Sequence, residues 1–260
     1  MAQGFPHSQI EVIVVDDGSV DGTLDVVRGF ANAMDMDVRI LRHRWQGIAE
    51  ARNTVARNAE GKYIVWVDCD MELTDNFVQE QVSFMEQNRK VGIAKGIYGI
   101  IQNANLVASL ENMSFVSENY RYECGTGGSI YRTQALRDVG YFDHRLRFAG
   151  EDHDAASKIG AAGWELDRSL AIFYEYPRTS WRKLWNKYYN WGYGLHEACK
   201  ANPELLTLYE MTPVAGFAAG LKRAFIAYHL THERKNFLLP FQFVFKLTAW
   251  CLGYLKGVLH

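Results

Sequence analysis

No two of the four cysteines, Cys69, Cys124, Cys199 and Cys251, form a C-x-x-C pair or stand beside histidines at zinc-ligand spacing. That argues against a sequence-encoded zinc module and fits a reduced, cytosolic setting. The chain also lacks a cationic stretch leading into an apolar core at its start, so secretion through a signal peptide is not expected. Neither sign of charge dominates. Lys and Arg number 28 against 30 Asp and Glu, a formal net charge of -2, and so leave no global footprint for nucleic acid. Internal repeats and low-complexity tracts are missing as well. What remains is a 260-residue chain, long enough for one sizeable α/β domain with an appendage and short for two full domains.

Residues 11–15, Glu-Val-Ile-Val-Val, are an apolar β-branched run that ends in Asp16-Asp17-Gly18-Ser19, the pattern of a buried strand entering a polar loop. Thr23 reads as the N-cap of a helix over about residues 23–34, in which Leu24, Val27 and Phe30 fall near helical spacing. The alternation continues with a strand at 38–41, a helix at 47–58, a strand at 63–67, a helix near 76–87 and a strand near 92–100. It predicts an α/β domain with a mostly parallel sheet flanked by helices. Residues 101–150 resist assignment; a helix at 151–162 stopped by Gly163 and a strand at 170–174 follow.

Two acidic clusters follow apolar strands. In parallel α/β sheets ligands bind outside the carboxyl ends of the strands, so Asp16-Asp17 and Asp68-Cys69-Asp70 are expected to share one crevice. Two carboxylates one residue apart suit magnesium or manganese. Taken alone, each cluster reads more readily as a plain turn or a solvated loop than as a site, because Asp and Gly suit tight turns. A third cluster, Glu151, Asp152 and Asp154, sits where carboxylates also satisfy the free N–H groups of a first helical turn.

In combination these segments resemble a known family. The run Glu11-Val-Ile-Val-Val-Asp-Asp-Gly-Ser-Val-Asp-Gly-Thr23, then Gly47-Ile-Ala-Glu-Ala-Arg-Asn53, then Gly61-Lys-Tyr-Ile-Val-Trp-Val-Asp-Cys-Asp70, resembles the nucleotide-binding half of glycosyltransferase family 2. Gly125-Thr-Gly-Gly-Ser-Ile-Tyr-Arg132, Val139-Gly-Tyr-Phe-Asp143 and Gly150-Glu-Asp-His-Asp154 resemble its acceptor side. The resemblance implies a GT-A fold, a nucleotide-diphosphate sugar donor, inversion at the sugar carbon and a Mg2+ or Mn2+ cofactor. Asp16, Asp17 and Ser19 would then lie at the base and ribose, with Arg52 and Asn53 lining the nucleotide pocket. Asp70 would hold the metal, with Asp68 near the ribose or the metal, and Glu175 would stand where many relatives place a metal-binding histidine. The Glu151-Asp152 pair would supply the general base, Asp152 being the choice between them, since an inverting displacement needs a carboxylate to take the acceptor proton.

The sequence departs from the family pattern in two further ways. The strand and helix that usually precede the Asp16-Asp17 unit have no full counterpart, so an exposed sheet edge and weak donor binding are expected. A Gln-x-x-Arg-Trp motif is lacking, which favours transfer of one sugar per binding event over polymer synthesis. The chain is expected to divide into a catalytic domain, residues 1–195, and a helical tail, residues 196–260. Neither apolar tail segment, 214–230 or 237–259, is free of cations; Lys222, Arg223, Lys246 and Lys256 interrupt them, so helices lying in a membrane interface with their cations at the headgroups are expected. From residue 214 onward six Lys or Arg face one Glu, a balance that suits the anionic inner face of the cell membrane. A soluble helical hairpin packed on the catalytic domain is the other reading of the tail.

The expected function is therefore sugar transfer to a hydroxyl or lipid-linked acceptor in cell-surface glycan or glycoprotein synthesis, with a catalytically impaired, membrane-associated scaffold as the alternative. Nucleotidyl transfer to a sugar phosphate usually needs a glycine-rich, basic N-terminal loop, which this chain lacks.

Overall fold

The computed structural model describes residues 3–102, 104–120, 125–201 and 212–259. Strand β1 (Glu11–Asp16) feeds helix α1 (Thr23–Ala31), and β2 (Asp37–Arg42) feeds α2 (Ile48–Asn58). Strands β1 and β2 pair in parallel from Glu11 opposite Asp37 to Asp16 opposite Arg42. Thr23 is the first residue of α1 and not its cap: the cap position is Gly22, and Asp21 Oδ1 accepts from the Thr23 N–H at 3.0 Å and from its hydroxyl at 2.5 Å.

A second sheet holds β3 (Tyr63–Val65), β4 (Met71–Leu73), β5 (Val91–Tyr98), β6 (Ser129–Arg132) and β7 (Glu165–Glu175) in the spatial order β3-β6-β5-β7-β4. Helix α3 (Phe77–Gln87) follows β4, α4 (Leu106–Glu118) follows β5, and α5 (Thr133–Asp138) and α6 (Glu151–Ala161) separate β6 from β7. The α/β architecture with flanking helices is as expected, but the sheet is mixed and not mostly parallel. Only β5–β7 runs parallel, while β3–β6, β5–β6 and β4–β7 are antiparallel. Strand β4 follows β3 after a loop of only residues 66–70, too short for the crossover of a dozen or more residues that a parallel neighbour of β3 needs, and it pairs with β7 at the far edge of the sheet. Among the described residues β1 pairs with β2 alone, yet Ile13 of β1 packs into the same core as Ile64, Trp66, Ile93, Tyr131, Phe142 and Ile159.

The rest of the described chain is helical: α7 (Trp181–Ala201), α8 (Pro213–Thr231), a 3-10 turn (Arg234–Leu238) and α9 (Leu239–Leu259). The expected boundary after residue 195 falls inside α7, so the helical part starts at Trp181. Helices α7 and α9 touch backbone to backbone: a Cβ on Gly192 would lie 2.0 Å from the Trp250 carbonyl oxygen, and one on Gly253 1.9 Å from that of Tyr189. Only glycine fits at either crossing point.

Lys246 does not reach outward, as expected from the sequence, but inward. It is 2% exposed, and its Nζ donates to Glu111 Oε2 at 2.8 Å and to Ser114 Oγ at 3.2 Å, while the Tyr188 hydroxyl donates to Glu111 Oε1 at 3.1 Å. A lysine in mid-helix on the packed face must find a counter-charge, and α4 supplies it. The stretch Arg234–Leu259 is the one described helix long and apolar enough to cross a membrane; its most apolar window has a mean hydropathy of 1.3, and 44% of that window is buried within the protein.

Glu111→Ala, which strands the Lys246 ammonium, is expected to cost about 3–5 kcal/mol of folding stability. Replacing both together, Glu111→Leu with Lys246→Met, should bring stability back to the wild-type level or above. Urea denaturation followed by circular dichroism measures both; a single variant as stable as wild type would show that the pair is not the link between α4 and α9.

Candidate active site

The site lies at the ends of β1 and β3. Asp16 closes β1 and is buried; its Oδ1 accepts from the Ser19 N–H at 3.1 Å, and its Oδ2 lies 3.1 Å from Arg42 Nε. Hydrogen bonds from Ser19, reinforced by Arg42, hold its carboxyl below the usual range. Asp17 shapes the next loop, accepting from Gln46 N–H at 2.7 Å and Gly47 N–H at 2.9 Å. Gly47 has a φ of 99°, and a Cβ there would lie 2.6 Å from the Arg147 carbonyl oxygen, so a glycine is required where α2 begins against the segment that leads to α6.

From α2, Arg52 reaches across the crevice. Its Nη1 pairs with Glu151 Oε1 and its Nη2 lies 3.7 Å from Asp68 Oδ1. A single guanidinium thus bridges the loop after β3 and the first turn of α6. Asn53, expected in the nucleotide pocket, has a different duty: it is 1% exposed, donates to the Phe142 carbonyl at 2.9 Å and accepts from the Phe142 N–H at 2.9 Å. With both ends of its amide committed to that backbone, it fastens α2 to the chain before α6.

Asp152 is partly buried, and its Oδ1 accepts from the His153 N–H at 2.9 Å. Burial pushes its carboxyl up, but His153, Arg52 and Lys95 outweigh it, leaving the group below its ordinary value and charged at neutral pH. The glycine loop of residues 125–128 lies between the acids: a Cβ on Gly125 would stand 3.2 Å from Asp152 Oδ2, and one on Gly127 3.0 Å from Asp68 Oδ2. The structure therefore brings Asp68, Glu151 and Asp152 to one place.

Asp68 and Asp70 are 48% and 29% exposed, and Asp70 Oδ2 lies 3.8 Å from Arg178 Nη2. Among the described residues no three His, Cys, Asp or Glu side chains gather closely enough to cage a metal, so the expected Asp68, Asp70 and Glu175 set is not assembled as a trio. Glu175 faces Lys187 of α7 instead, at 3.8 Å, and burial pushes its carboxyl up to about 7. The Asp68-Asp70 pair does suit magnesium or manganese, which are commonly held by one or two carboxylates together with substrate phosphates.

Residues 1–146 match the sequence family described as Glycosyl transferase family 2. The chain belongs to this family. TarS of Staphylococcus aureus, a poly(ribitol-phosphate) beta-N-acetylglucosaminyltransferase, is 27% identical over 152 residues, which cover 56% of this glycosyltransferase and 26% of TarS. Glycosyltransferase AglE of Haloferax volcanii is 26% identical over 198 residues, 74% of this chain and 65% of AglE. The chain thus spans about a quarter of the one relative and just under two thirds of the other. Among solved structures, mannosyltransferase PcManGT from Pyrobaculum calidifontis, in complex with GDP-Man and Mn2+, matches with a TM-score of 0.63 at 18% identity, over 99% of this chain and 80% of that one. The fold is GT-A, as the sequence motifs implied.

Sequence reasoning passed over three cations of the glycosyltransferase's site: Lys95, Arg178 and Lys187. Lys95 alone carried a signal, as a charge inside the otherwise apolar strand β5. The other two meet Asp70 and Glu175 only through folding.

A carboxyl whose folded value, about 7, exceeds its ordinary 4.5 binds more protons in the native state than in the unfolded chain between those two pH values. Stability of the ligand-free protein should therefore fall as pH rises through that window, and Glu175→Gln should flatten the fall. Urea titrations at a series of pH values test this; parallel curves for the two proteins would mean that Glu175 ionises normally.

Proposed function

We propose that the protein transfers a sugar, with inversion, from a nucleoside-diphosphate donor to an acceptor hydroxyl. The observation that carries this reading is the Arg52 bridge, which puts the loop of Asp68 and Asp70 in the same crevice as Asp152. Asp152 takes the acceptor proton as the hydroxyl oxygen attacks the sugar carbon, and the bond from that carbon to the diphosphate oxygen breaks on the opposite face. Arg52 and Arg178 flank the side where the diphosphate departs. A divalent cation held by Asp70 and Asp68 would neutralise the charge that develops on that leaving group. Two structural relatives support a nucleotide-sugar donor: PcManGT was solved with GDP-Man and TarS with UDP and UDP-GlcNAc.

Screening UDP- and GDP-sugars for nucleotide release with manganese present is the direct test. Asp152→Asn should lower kcat by about 10²–10⁴-fold while nucleotide still binds. Asp70→Ala should abolish the stimulation of binding by manganese. Full turnover in both variants would sink the assignment.

We further infer a peripheral seat on the inner face of the cell membrane and a lipid-linked acceptor. Helix α8 turns its small residues inward, with Gly216, Gly220, Ala224 and Ala227 buried, and exposes Val214, Phe217, Leu221 and Phe225 at helical spacing. Phe241 meets Phe217 edge to face at 6.0 Å and Phe237 meets Phe225 edge to face at 5.9 Å, both 42% or more exposed, so the apolar surface continues onto the next helix. A soluble hairpin would hide such a surface; an interfacial one presents it to acyl chains. Lys222, Arg234 and Lys256 are exposed cations of the same helical part. An apolar recess of about 270 Å³, lined by Leu110, Trp181, Leu238, Phe241, Gln242 and Phe245, adjoins it and is suited to a lipid chain.

Vesicles rich in phosphatidylserine should float the protein, and vesicles of neutral lipid should float less. Joint replacement of Phe217, Phe225 and Phe241 by serine should leave the folded protein at the bottom of the gradient; continued flotation would remove this face from consideration.

A further inference from the structure

Lys95 sits in β5, the central strand of the five-stranded sheet, and is 4% exposed. Its Nζ donates to the Gly127 carbonyl and lies 5.0 Å and 5.3 Å from the ring centres of Tyr98 and Phe173. The loop that it grips is the one wedged between the site's acids. A Cβ on Gly125 would stand 3.9 Å from Lys95 Nζ and 3.2 Å from Asp152 Oδ2, so ammonium and carboxylate approach the same residue from two sides. Ser129 Oγ ties the Gly125 carbonyl at 2.5 Å, and Gly96 N–H the Gly128 carbonyl at 2.9 Å, which leaves the loop little freedom to shift away from Lys95.

Resting on the glycosyltransferase reading, we propose that Lys95 is a positioning residue for transfer: it pins the glycine loop against Asp152 and Asp68 and sets a fixed positive charge beside Asp152. The charged groups around Asp152 are Arg52 from α2, Lys95 from β5, His153 and Glu151 on its own helix, and Asp68 across Gly127. Arg52 already faces both Glu151 and Asp68, so its charge is divided. In a crevice with several carboxylates, a second buried cation favours the ionised form of the base, and only the ionised form accepts a proton. The charge acts through Asp152 and the loop, from beneath the reacting groups.

Lys95→Met keeps the length of the side chain and removes the ammonium. Carboxyl 13C NMR of aspartate-labelled protein, with Asp152→Asn for assignment, reads the titration of Asp152 without any substrate. Its midpoint should rise by roughly one pH unit or more in Lys95→Met. The acid limb of the pH–kcat profile should move the same way, and kcat at neutral pH should fall about 10–100-fold with the donor KM nearly unchanged. Gly125→Ala, whose methyl would stand against Asp152 Oδ2 and within reach of Lys95 Nζ while leaving both charged groups in the chain, should raise the midpoint too. It serves if Lys95→Met does not fold. An Asp152 midpoint unchanged in a folded Lys95→Met or Gly125→Ala protein overturns the proposal. A wild-type protein that turns over no donor would count against the glycosyltransferase reading, and the NMR midpoint would still decide the role of Lys95.

Discussion

The pairing of Arg52 with Glu151, and its approach to Asp68, is the contact on which the site depends. Carboxylates drawn into one crevice raise one another's pKa and push the chain segments that carry them apart. A guanidinium stays charged at any physiological pH and offers several donors in a fixed plane, so it can serve two acids on different loops at once. Arg52 is only 11% exposed, hence its charge is little screened. Its aim is set by α2, and α2 is set by contacts that look incidental in isolation. Asp17 shapes the loop that enters the helix, Gly47 allows the helix to start against residue 147, and Asn53 clasps the backbone of Phe142. Gly47 and Asn53 fix α2 to the chain just before α6, and Asp17 fixes its entry loop to the end of β1, so the cation on the one helix and the acids on the other are held in register.

A second charged network joins the catalytic part to the helices. Glu111 of α4 receives Lys246 of α9 and Tyr188 of α7, and Lys187, one residue from Tyr188, faces Glu175 at the end of β7. The helices are therefore not a loose appendage. Glycine crossings at Gly192 and Gly253 bring α7 and α9 into backbone contact, and α8 packs its small residues inward. The apolar surface on α8 and the start of α9 is thereby held on the same packed body as the crevice.

Much of the fold could be read from local pattern. The strand at residues 11–15, the helices that became α2, α3 and α6, and the acidic clusters at strand ends all have signatures spanning only a few residues. Strand direction did not, because it depends on which edge is vacant: β4 and β6 are four residues long or fewer, and their partners lie far off in sequence. The same holds for side-chain duties. Asn53 and Arg52 are neighbours in one motif, yet a helix points them in different directions, one into the backbone of Phe142 and the other into the crevice. Glu175 was legible as a strand-end carboxylate, but Lys187, which engages it, sits in an aromatic helix whose packing no periodicity reveals.

The division of labour proposed between Glu151 and Asp152 rests on the same geometry. Successive residues on an α-helix diverge by about 100°, so two adjacent acids in a first turn cannot face the same partner. Glu151 is 3% exposed and bound to Arg52; taking up a proton would break the contact that holds the two halves of the site together. Asp152 keeps one oxygen on the backbone of His153 and turns the other towards Gly125, where the missing side chain leaves room beside it. A base needs an oxygen that an incoming hydroxyl can reach and a charge that the surroundings preserve until it arrives. Of the two neighbours only Asp152 has both, and the glycine opposite it is as much a part of that arrangement as the carboxylate.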